Sequence, residues 1–151
     1  MKKHFLLLIL LFFGAGAIAQ TNPDYDAELA KKLGADEYGM KQYILVILKT
    51  GSAKIEDKAK LNLLFKGHMD NINKLADEGK LAVAGPFMKN DANYRGIFIL
   101  DVKTIEEAQA LLENDPTIKE KIFEAELIPW YGSAALGQYM DIHKKIEQRK
   151  P

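Results

Sequence analysis

After residue 20, two stretches run apolar without alternation: Tyr43-Ile44-Leu45-Val46-Ile47-Leu48, and Gly96 to Leu100, with Val102 beyond Asp101. Continuous runs of this length, rich in Ile and Val, suit strands covered on both faces. Lys49-Thr50-Gly51-Ser52 closes the first with turn chemistry. From Glu56 or Asp57 to Glu78 the period changes. Leu61, Leu64, Phe65, Met69, Ile72, Leu75 and Ala76 recur at three- and four-residue steps, which predicts an amphipathic helix stopped by Gly79. Leu81–Ala84 predicts a second strand, ended by a Gly85-Pro86 turn, and Lys89–Arg95 is a polar connection. Thr104 and Glu107 form a capping box for a second helix over Ile105–Glu113. Asn114-Asp115-Pro116 breaks that helix, and a further helical turn is expected within Thr117–Phe123. Ala125–Tyr131 predicts a fourth strand, with Pro129 placing it at an edge or a strand end. In the tail, Leu136, Tyr139, Met140, His143 and Ile146 keep helical spacing, so a short amphipathic helix is expected within residues 136–149.

The order strand, helix, strand, strand, helix, strand is the split βαβ, or ferredoxin-like, pattern. It predicts an α+β fold: an antiparallel four-stranded sheet with two helices on one face, plus a C-terminal helix. Two helices on one face leave the other face uncovered, yet the first and third strands are apolar on both. The resulting patch exceeds what a monomer usually exposes. A second copy applied face to face covers it most simply, giving a homodimer and a dimeric α+β barrel. The C-terminal segment folding over the open face is the alternative, and one short helix covers only part of it.

The ends of the chain change this picture little. Lys2, Lys3 and His4, the apolar run Phe5–Phe13 and Ala17-Ile18-Ala19 have the form of a cleavable secretory signal peptide over residues 1–19, cut between Ala19 and Gln20. The apolar stretch to Ala19 is short for a spanning helix, which needs about 20 residues. A periplasmic or secreted product is expected, with no membrane association after cleavage. Residues 20–40 read as a flexible polar spacer with one helical turn near Asp26–Leu33, residues 41–132 as the domain and residues 133–151 as the tail. Removing the leader leaves 19 basic against 21 acidic side chains, a formal charge of −2, with no electrostatic footprint for nucleic acid. The absence of cysteine excludes disulfides, thiolate catalysis and cysteine metal sites. Two histidines after the leader, with no closely spaced ligand pair, fall short of a zinc site, and no metal or organic cofactor is expected.

His68 lies on the apolar stripe of the first long helix, between Leu64 and Ile72. It is either a satisfied core residue or an imidazole poised for acid–base work. Gly67 beside it costs about 1 kcal/mol against alanine in mid-helix, and close approach of another backbone or a ligand is one reason to keep it. Asp115 before Pro116 reads first as a helix cap. Gly85-Pro86 is a turn that also lets a ligand near the backbone, and Arg95 is a loop charge or an anchor for an anionic group. Trp130 and Tyr131 are core or dimer contacts, or walls of a pocket. His143 reads as a surface residue of the tail.

Gly67-His68-Met69, Gly79-Lys80-Leu81, Ala84-Gly85-Pro86-Phe87, Arg95-Gly96-Ile97-Phe98, Asp115-Pro116 and Pro129-Trp130-Tyr131-Gly132, in this order and spacing, resemble the YCII-related domain family over about residues 41–132. The resemblance implies a ferredoxin-like dimeric α+β barrel, similar in architecture to muconolactone isomerase. It also implies an active site made of the helix histidine and the Asp-Pro aspartate, here His68 and Asp115. Many members carry an arginine three positions before the histidine, where this chain has Phe65. A secretory signal is also unusual in the family. Together these readings suggest a cofactor-independent enzyme of isomerase or lyase type, with His68 as general acid or base and Asp115 orienting it. A small molecule would be held by Gly85, Pro86, Arg95, Trp130 and Tyr131. A non-catalytic small-molecule-binding module, or a purely structural dimer, stands as the alternative.

Overall fold

The computed structural model describes residues 22–149, and the leader expected over residues 1–19 lies outside them. Four strands, β1 (Met40–Thr50), β2 (Leu81–Pro86), β3 (Tyr94–Leu100) and β4 (Phe123–Ser133), form one sheet in the order β2-β3-β1-β4. Every neighbouring pair is antiparallel. Helix α1 (Ala27–Leu33) precedes the sheet, α2 (Lys58–Asp77) joins β1 to β2, and α3 (Ile105–Leu112) with the single turn α4 (Pro116–Lys119) joins β3 to β4. This is the ferredoxin-like arrangement. A 3₁₀ turn, Leu136–Tyr139, and α5 (Met140–Ile146) follow.

Gly85 and Pro86 are the last two residues of β2, not a turn after it: Gly85 pairs with Ile97 and Pro86 with Gly96. Proline is tolerated there because β2 is an edge strand and needs no outward N–H. The fourth strand is also longer than its apolar run, because Phe123, Glu124, Gly132 and Ser133 all pair with β1.

Local chemistry fixes the helix ends. The Asp57 carboxylate accepts from the Ala59 and Lys60 N–H groups at the start of α2, and Gly79, at φ +67°, follows its end. Thr104 accepts from Glu107 N–H at the start of α3, while the Glu107 carboxylate reaches back to Lys103 N–H.

Strand register sorts the two sheet faces. Val46 opposes Phe98 and Leu127, and Leu48 opposes Gly96 and Ala125. With Ile44, Leu100 and Phe123, these residues meet Leu75 of α2 and Ala108 and Leu112 of α3, so both helices share one face and one core. On the other face Tyr43, Ala82 and Ile99 are buried under Trp130 and Leu136, so the tail does fold back over one end of it. The middle stays uncovered: Leu45, which opposes Ile99 and Ile128, and Ile47, which opposes Ile97, are only half-buried. Helix α1 buries no side chain. Among the described residues, no helix is long and apolar enough to cross a membrane.

Candidate functional site

His68 sits on the buried side of α2, and Asp115 caps α4, with Pro116 in its first turn. The two elements can approach because residue 67 is glycine. A Cβ at Gly67 would lie 2.7 Å from Pro116 Cγ. The close neighbour at Gly67 is the side-chain ring of the Asp-Pro proline, where another backbone or a ligand was expected, and it seats the Asp115 carboxylate against the next residue of α2.

His68 Nδ1 and Asp115 Oδ2 are 2.5 Å apart. An ionised carboxylate only accepts, so Nδ1 carries the proton. Asp115 Oδ1 accepts from Thr117 N–H at 2.9 Å and from the Thr117 hydroxyl at 2.6 Å, and that hydroxyl also lies 3.3 Å from His68 Nδ1. Asp115 and Thr117 are fully buried and His68 is 8% exposed. Burial by itself raises the Asp115 pKa, but the hydrogen bonds from His68 and Thr117 together outweigh it and hold the carboxyl below its ordinary value. Asp115 thus caps α4 with one oxygen and orients an imidazole with the other. Phe98, Phe123 and Phe65 surround the His68 ring, with centroids at 5.9, 5.5 and 6.5 Å.

His68 opens onto a cleft of about 1300 Å³ between α2 and the β2 edge of the sheet. Nδ1 is committed to Asp115, and Nε2 has no hydrogen-bond partner among the described residues, nor is it buried without one. Gly85, Pro86 and Arg95 line the same cleft. A Cβ at Gly85 would meet nothing within 4 Å, so packing within the chain does not demand glycine there. Arg95 makes no ion pair among the described residues.

Trp130 and Tyr131 are not brought to this cleft. They border a separate depression of about 140 Å³ with Tyr43 and Lys103. Trp130 stacks at a tilt on Tyr43, 5.8 Å between centroids, and its ring lies over Gly132, where a Cβ would collide with it. The Tyr131 hydroxyl donates to Asp36 in the segment before β1, a bond that pushes the phenol up to about 12 with lesser help from burial and the Asp36 charge. Among the described residues, no group of three or more His, Asp or Glu is placed to hold a metal ion.

Two contributions were not read from the sequence. Thr117, the third member of the buried cluster, stands two residues after Asp115, where a cap motif carries no sign of a role toward a histidine. The tail also enters the site: Tyr139, Met140, His143, Lys144 and Glu147 line the cleft.

The profile described as the YCII-related domain matches residues 42–131, more than half of the chain. No curated protein matches. Among solved structures, the chain is similar to the 5-chloro-2-hydroxyhydroquinone dehydrochlorinase of Burkholderia phenoliruptrix AC1100, determined as a complex with 2,5-dihydroxybenzoquinone. The identity is 19% and the TM-score 0.40, with 58% of this chain and 92% of that one covered.

Proposed function

The chain belongs to the YCII-related domain family, and we propose that it is a cofactor-independent enzyme that moves a proton on a small, ring-shaped molecule. One observation carries this reading: His68 Nδ1 is bound to a buried carboxylate at 2.5 Å while the ring lines a large, partly apolar cleft. Nε2 takes a proton from an acidic C–H or O–H of the substrate. The imidazolium that forms lies against the Asp115 anion, which offsets the cost of a buried positive charge. The proton then returns to another atom of the same molecule, an isomerisation, or passes to solvent as a leaving group departs with its electron pair, an elimination. Gly85, Pro86 and Arg95 are the proposed substrate contacts. The proposed assembly is a homodimer in which a second copy covers Leu45, Ile47, Ile97 and Ile128. The proposed location is the periplasm or exterior, reached by cleavage between Ala19 and Gln20.

The test is hydrogen–deuterium exchange at acidic positions of a panel of lactones and hydroxylated ring compounds in D₂O, followed by NMR. Positioned acid–base catalysis contributes about 10²–10⁴-fold, and His68→Gln should lose that much exchange. If every compound that exchanges does so equally with His68→Gln, the acid–base role is refuted. The non-catalytic alternative then stands, with the same cleft holding a ligand, detected by thermal stabilisation.

A further inference from the structure

Helix α5 lies outside the segment that the family profile matches, yet it completes the cleft. Met140, His143, Lys144 and Glu147 recur at the spacing of one helical face, and all four line it. Ile142 and Ile146, one turn apart on another face, are 63% and 73% exposed. Ile146, which keeps helical spacing with Met140 and His143, does not line the cleft. The helix turns Met140 and the ionisable His143, Lys144 and Glu147 toward the cleft and its two isoleucines away from it. It is anchored at its start and touches α2 further along. The 3₁₀ turn before it packs on β2, with Leu136 against the open-face cluster, and the Lys144 ammonium lies 3.7 Å from the Asp77 carboxylate at the end of α2.

Both histidines of the described chain thus border one cleft, and the charged groups at its mouth have a pattern. Lys89, Arg95 and Lys144 stand against Asp77 and Glu147. Asp77 is engaged with Lys144, Glu147 lies 3.9 Å from His143, and Lys89 and Arg95 make no ion pair among the described residues. A cationic mouth above a floor of Phe65, Phe98 and Ile72 fits a ring that carries a negative charge at one end.

We propose that α5 is part of the binding site and that His143 and Lys144 are specificity-determining residues, which with Arg95 select an anionic ring compound over its neutral counterpart. This rests on the reading of the cleft as a small-molecule site and adds the charge of the ligand and the residues that sense it.

The experiment titrates the full chain with benzoate, and separately with its neutral isostere benzamide, while following the imidazole NMR signals of His68 and His143. These signals are assigned with His68→Gln and His143→Gln. Both rings should shift along one saturation curve with benzoate. Benzamide should bind about fivefold more weakly, the scale of one exposed charge pair. Lys144→Gln should weaken benzoate about three- to fivefold and leave benzamide unchanged. The proposal is overturned if His143 stays still while His68 moves, if benzamide binds as well as benzoate, or if neither ring responds. The acid–base reading fails separately. Full proton exchange by His68→Gln, in a protein whose two rings still respond together to benzoate, refutes the catalytic role and leaves the binding wall standing.

Discussion

Replacing Gly67 with alanine separates two opposed effects. Intrinsic helix propensity favours alanine by about 1 kcal/mol in mid-helix, so an isolated α2 would gain. In the folded chain the new methyl would sit 2.7 Å from Pro116 Cγ, about 1 Å inside the optimal carbon–carbon separation. The neighbour that must yield is a closed ring in the first turn of α4, with no free end to swing away. Relieving such a contact typically costs about 1–3 kcal/mol. The net expectation is a loss of about 0–2 kcal/mol where propensity alone predicts a gain. More telling is where the strain goes. Moving Pro116 carries Asp115 with it, and a shift of about 1 Å stretches a short imidazole–carboxylate bond beyond hydrogen-bonding reach. Urea unfolding gives the stability, and the far-downfield Nδ1 proton resonance of His68 reports the bond. The variant should be no more stable than the parent and should lose that resonance. A Gly67→Ala protein that is about 1 kcal/mol more stable, with the resonance unchanged, refutes the role given to Gly67.

Asp115→Asn removes a fully buried anion that accepts from three donors and should cost about 1.5–3 kcal/mol in urea unfolding. The same carboxyl sets a pH dependence. Its folded pKa lies below the ordinary 3.8, so its contribution is complete above that value and disappears as pH falls through the lower folded one. The parent should therefore lose stability more steeply than Asp115→Asn as pH falls below about 4, the ordinary carboxylate value. Thr117→Val should cost about 1 kcal/mol, measured in the same way, because it deletes the 2.6 Å bond to Asp115. Ile47→Lys places a charge on the uncovered sheet face and should convert a dimer to a monomer in sedimentation velocity, whereas an unchanged sedimentation coefficient contradicts the face-to-face dimer. Gly132→Ala should displace Trp130, the only tryptophan of the chain, and change its fluorescence.

Periodicity carried most of the fold. The unbroken runs in β1 and β3, the three- and four-residue spacing of α2 and the cap at Thr104 led directly to strand order and layers, because each reflects burial or backbone chemistry local to a few residues. Gly85-Pro86 misled for a physical reason. A Gly-Pro pair breaks an inner strand, but β2 is an edge strand whose outward N–H positions are dispensable. Of the candidate site, His68 was visible as a titratable residue on an apolar stripe. The pairing of His68 with Asp115 joins residues 47 apart in sequence and entered through family resemblance, because capping alone accounts for an Asp-Pro step. Trp130 and Tyr131 were placed with the site from their type, while strand register puts Trp130 with Tyr43 on the face away from α2. The contribution of α5 was hidden because no local rule states which way a tail folds back.

The central claim is that Asp115 fixes the proton on His68 Nδ1 and leaves Nε2 basic toward the cleft. Ring ¹⁵N NMR on the chain at neutral pH measures this without any substrate. The account predicts a protonated Nδ1 and an unprotonated Nε2 in the parent, with that preference lost in Asp115→Asn. A parent protein whose Nε2 carries the proton, or whose tautomer is indifferent to Asp115, would contradict it.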